Sequence, residues 1–234
     1  MKKSITHPLF LFFILLFTLQ SCESKAQKIT LDKKNTIVKH NDFMSDGTFS
    51  FIMRSGKNDS IRISKDTLKL NESIMKIVQI HKQDSLITLG LERLQTNQYI
   101  HKGLEEYNFF VILIKPLDKN IFELSWRQSG LNKEEMENTV RQKYEEENIF
   151  FRTYYHNDYL KNFSNLKKID TKDDAQKIFE FYENEKFKKW YKQYTQDEGS
   201  FGGDIFRSEA LNRICIELGY NPIGANEALA KFNE

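Results

Sequence analysis

The chain has 234 residues, room for one sizeable domain or two small ones. Its 35 Lys and Arg nearly balance 33 Asp and Glu, a formal net charge of +2. That balance excludes a global electrostatic argument for nucleic acid or an anionic surface as partner.

The N-terminus reads first. Lys2 and Lys3 precede Leu9–Leu19, an eleven-residue run that is apolar apart from Thr18. At about 1.5 Å per residue such a helix spans roughly half of a ~30 Å hydrocarbon core. The run therefore predicts the apolar region of a secretory signal, not a transmembrane helix. Leu19-Gln20-Ser21-Cys22 follows, with Leu three residues before Cys and a small residue just before it. This motif resembles the lipobox of bacterial lipoproteins. The resemblance covers the signal alone and implies that residues 1–21 are removed. It also implies that the Cys22 thiol carries a diacylglyceryl group and that the new amino group is acylated. Several acyl chains give stable attachment where one would not. The implied address is the cell envelope, lipid-anchored, with the outer membrane favoured over the inner and the domain facing periplasm or cell surface. Ser24-Lys25-Ala26 leaves an ordinary signal peptide cut after Ala26 as the competing expectation.

On the lipoprotein reading 213 residues remain, with 33 Lys and Arg against 33 Asp and Glu. Cys215 is then the sole cysteine free to pair, so the fold must rest on its core without an intramolecular disulfide. Residues 22–28 form a polar tether. Residues 29–130 read mostly as strands. Thr48–Met53 partly alternates, and Ser60–Ser64 alternates cleanly. Gly56-Lys57-Asn58-Asp59 between them predicts a hairpin. Ile74–Ile80 is ambiguous between helix and strand, and Asp84–Leu94 suits a strand. Asn108–Ile114, apolar on both faces, predicts a central strand. Ile121–Trp126 returns after a turn at Lys115–Asn120.

Residues 131–234 read as helical. Asn132 and Glu135 have capping-box spacing, with Leu131 and Met136 placed as a hydrophobic staple. A second helix is expected from Thr171 to about Tyr194, its stripe running from Ala175 and Ile178 to Phe187, Trp190, Tyr191 and Tyr194. Asp204 is placed as the cap of a third helix, which ends at Gly219. Asn221-Pro222 is placed as the start of a fourth. The resulting fold class is α+β: a mainly antiparallel sheet of five or six strands, then a C-terminal helical half within one domain.

No catalytic residue, cofactor or metal ligand is assigned. His7, His40, His81, His101 and His156 lack metal-site spacing. His156-Asn157-Asp158 is the densest polar cluster, but adjacency in sequence does not build a base–carboxylate pair. Gly199–Asp204 lacks the lysine ending of a phosphate loop. Cys215 sits on an apolar helix face, where thiols are inert. Aromatics crowd residues 150–194, and Trp190, Tyr191 and Tyr194 are singled out as a partner-binding ridge. Lysines interleave with these rings, yet export and Glu180, Glu183 and Glu185 argue against nucleic acid. The expectation is a non-enzymatic envelope lipoprotein that binds a protein or envelope component. A hydrolase with a dispersed site and an immunity lipoprotein against an envelope-targeting toxin stay open.

Overall fold

The computed structural model describes residues 44–56, 59–70, 73–95, 108–194 and 202–232. The signal segment, Cys22 and the tether lie outside them. Eight strands run in chain order: β1 (Gly47–Phe51), β2 (Asp59–Ser64), β3 (Thr67–Leu70), β4 (Ser73–Gln83), β5 (Leu86–Gln95), β6 (Phe109–Asp118), β7 (Ile121–Leu131) and β8 (Arg152–His156). Each pairs antiparallel with the next, and β8 returns to β1, so the sheet closes into a barrel. Lys65 and Asp84 take φ of 51° in the tight β2–β3 and β4–β5 turns.

This corrects the expected sheet-then-helices layout. The sheet has eight strands, not five or six, and it closes. Its last strand comes from the half expected to be helical. β8 carries Tyr154 inward and Thr153 and Tyr155 outward, and all three are buried. With both faces covered, the strand has no polar–apolar alternation to reveal it. Closure removes most of the edge that an open sheet would expose. An eight-stranded barrel is just wide enough for side chains to fill. Here Phe49, Phe51, Phe122 and Tyr154 fill it, with Phe122 and Tyr154 stacked 5.6 Å apart.

Among the described residues six α-helices wrap part of the outside: α1 (Lys133–Val140), α2 (Asn157–Leu160), α3 (Lys172–Tyr182), α4 (Glu185–Tyr194), α5 (Gly202–Glu217) and α6 (Ala225–Ala230). The capping box of α1 is present, and Met136 and Val140 bury against Val111 and Leu131. The expected long helix breaks in two. Glu183 ends α3, and Asn184 Oδ1 accepts from the Lys186 amide to start α4. α3 packs its Ala175 and Ile178 on Ala210, Leu211 and Ile214 of α5 rather than on the sheet. Asp204 lies inside the first turn of α5, bonded to Arg54, and is not its cap. The last helix begins after Gly224 (φ 76°), not at Pro222. Gly219 (φ 77°) does end α5, and Tyr220 folds back with its amide on the Cys215 carbonyl.

α5 also seals the barrel. β1 and β8 share only two register pairs, Phe49–His156 and Ser50–Tyr155. Beyond them the strands splay, and polar side chains of α5 supply the missing rungs. Ser208 accepts from the Arg54 amide, Asn212 donates to the Ile52 carbonyl, and Glu209 accepts from the Thr153 amide at 3.0 Å.

Candidate functional site

Outside β6 and β7, charges of alternating sign run from Glu146 through Lys115 and Glu123 to Arg213 and Glu209 of α5. Glu123 points outward from β7, between the inward Phe122 and Leu124. Arg213 of α5 donates from Nη2 to Glu123 Oε1 and from Nε to Glu209 Oε1, each at 2.8 Å. Glu209 is fully buried and also accepts from Thr153 Oγ1 at 2.7 Å. On the other side Lys115 Nζ lies 3.6 Å from Glu123 Oε2 and bonds Glu146, which also accepts from Ser85 Oγ at 2.9 Å. The hydrogen bond to Glu146 holds the Lys115 ammonium above its usual range, and Lys115 holds the Glu146 carboxyl below its own. Burial opposes the charge on Arg213, but Glu209 and Glu123 outweigh it and keep the guanidinium protonated.

Two adjoining clefts open on this row. One, of about 400 Å³, lies among Lys115, Glu146, Ile149 and Phe150. The other, of about 490 Å³, lies among Tyr155, Tyr159, Phe163, Phe181 and Phe187, with Asn184, Lys186 and Glu217 around it. Glu123, Trp190 and Arg213 line both. Trp190 faces the Arg213 guanidinium at 5.0 Å, within cation–π range. The second cleft is flanked by Leu117, 53% exposed, and Ile216, 37% exposed.

Of the residues singled out in the sequence, Trp190 and Tyr191 are half-buried beside Phe187. Both pack in the helical layer, and of the two only Trp190 lines the clefts. Tyr194 is the last residue of α4, and its side chain lies outside the described residues, as does Cys22. His156 is structural: its Nδ1 accepts from the Asp158 amide, and its ring packs edge-on against Phe49. Burial pushes the Cys215 thiol up to about 12. Among the described residues no three His, Cys, Asp or Glu converge as a metal set.

Sequence reading missed Lys115, Glu123, Glu209 and Arg213. The i, i+4 spacing of Glu209 and Arg213 was visible, but such a pair reads as a solvated helix surface. Its burial depends on β8, which sequence reading also missed. No protein-family model matches the chain, and no curated protein or solved structure matches it.

Proposed function

We propose that this is a lipid-anchored envelope protein that works by binding, with the paired clefts around Trp190 and Arg213 as its recognition site. The anchor rests on Leu19-Gln20-Ser21-Cys22, and Cys22 is its attachment point. The geometry of the larger cleft carries the binding role: concave, mainly apolar walls with several polar groups among them are the usual make-up of ligand sites. Trp, Tyr and Arg together are also the residues that dominate recognition hot spots. Hydrolysis is the weaker reading. A general acid needs a carboxyl raised toward neutrality, whereas Lys115 holds Glu146 low and Arg213 occupies Glu123 and Glu209.

Mass spectrometry of the native protein tests the anchor and should find acylated Cys22 as the first residue. Melting of the purified native protein against separated glycan, lipid and protein fractions of the envelope tests the binding role. A ligand at 100 times its Kd adds about 2.7 kcal/mol to stability. One fraction should therefore raise the melting temperature of wild type but not of Trp190→Ala. No shift with any fraction would remove the binding role.

A further inference from the structure

The donors and acceptors around the larger cleft say what kind of ligand it suits. We propose that the cleft binds a neutral saccharide, an inference that rests on the binding role proposed above. The walls give ring surfaces from Trp190, Tyr159 and Phe181, all half-buried and so partly open to solvent. Both donors and acceptors line the same cleft. Lys186 makes no ion pair among the described residues. The Asn184 oxygen is used by the Lys186 amide, which leaves the Asn184 NH₂ as a donor. Glu217 supplies carboxylate oxygens, while Glu123 is held by Arg213.

Two cations, Lys186 and Arg213, therefore face two carboxylates, and the cleft carries no net charge. An anionic ligand would need a surplus of donors. A bare acyl chain would strip water from these polar groups without replacing their hydrogen bonds, at a cost in affinity. A sugar hydroxyl both donates and accepts, so it matches a rim that offers both. The C–H faces of a sugar ring lie flat on aromatic rings, which are large apolar surfaces with fixed orientation. The volume of about 490 Å³ falls within the range of small-ligand sites. The neighbouring cleft shares Glu123, Trp190 and Arg213, so an oligomer suits the pair better than a single ring.

Tryptophan emission provides the test, because the chain has two tryptophans and only Trp190 lines the clefts. The native full-length protein, held in a zwitterionic detergent without a sugar head group, is titrated with chitotetraose, maltotetraose and hexanoate. At least one tetrasaccharide should change the emission saturably, and Trp190→Phe should abolish the change. Asn184→Ala and Glu217→Ala should each weaken the binding about tenfold, the size of one lost hydrogen bond. Arg62→Ala, on an exposed position of β2, should leave it unaltered. Saturable binding of hexanoate without either saccharide would overturn the saccharide inference and leave the binding role standing. Silence toward all three probes, alongside a melting shift with a lipid or protein fraction, would overturn it in the same way. Silence together with no shift from any fraction would overturn both.

Discussion

Glu209→Ala should be the most damaging single substitution in the seam. Glu209 has no solvent exposure and holds three donors: the Thr153 amide at 3.0 Å, Thr153 Oγ1 at 2.7 Å and Arg213 Nε at 2.8 Å. Alanine leaves the Thr153 amide without its acceptor where β8 has already left β1. A buried orphan donor costs about 1–3 kcal/mol. Thr153 Oγ1 can rotate, and Arg213 keeps Glu123, so these two losses are smaller. Together they reach about 3–5 kcal/mol, the range found when one partner of a buried ion pair is removed. For a chain of this size each kcal/mol moves Tm by roughly 2–4 °C, so the expected drop is about 10 °C. Glu209→Gln keeps one acceptor and should lose roughly half as much. Urea unfolding should show a lower midpoint at unchanged slope. A Glu209→Ala protein within about 1 kcal/mol of wild type would refute the role of α5 as the seal of the barrel.

Three further outcomes follow from the packing. A Cβ on Gly90 would sit 2.3 Å from Met136 Sδ and 3.1 Å from Val140 Cγ2, so Gly90→Ala should cost about 1–3 kcal/mol in urea unfolding by lifting α1 off β5. Asp174 is held below the usual carboxylate range, first by Lys167 and then by Tyr220. Its contribution is present above the unfolded pKa of about 4 and fades as pH falls below that, so Asp174→Asn should flatten the acid limb of the stability curve. Cys215 is buried with its thiol pushed up to about 12, so a thiol reagent at pH 8 should react with it only as fast as the protein unfolds.

Local features were legible where one residue's chemistry decided them. The run Asn108–Ile114 did give a strand, Phe109–Asp118, buried on both faces over Phe110–Ile114, and the Asn132–Glu135 capping box did start a helix. Gly219 did end α5 in the left-handed region. Features set by distant contacts were not legible. Thr153 and Tyr155 lie in the half that reads as helical, and they show as strand residues only once α2 and α5 cover them. α5 is the clearest case. One side buries Leu211 and Ile214 among the helices, and the other aims Ser208, Glu209 and Asn212 at the barrel seam. Periodicity gave its apolar face, but nothing in the sequence marked the opposite, polar face as buried too. The candidate site inherits this difficulty, since its charges come from β6, β7 and α5 and meet only when the barrel has closed.

Arg213 joins the seal to the clefts, and this makes a last prediction. Its guanidinium spans Glu209 beneath the helix and Glu123 in the cleft wall, two bonds at 2.8 Å from one planar fork. Lysine cannot reproduce that fork. Arg213→Leu would leave both carboxylates, one fully buried and one nearly so, without the cation between them. Part of the Arg213 side chain is open to water, so the loss at neutral pH should be about 2–3 kcal/mol rather than the full cost of a deeply buried pair. The folded variant can relieve the repulsion by taking up a proton that the unfolded chain does not hold at the same pH. Its native state then binds more protons than its unfolded state, so its stability must fall as pH rises. Urea unfolding of both proteins between pH 5 and pH 8 measures this. The deficit of Arg213→Leu should shrink toward pH 5 and widen toward pH 8. A deficit constant across that range would mean that the guanidinium contributes packing against Trp190 and not charge compensation, and would sever the electrostatic link drawn here between the barrel seam and the cleft.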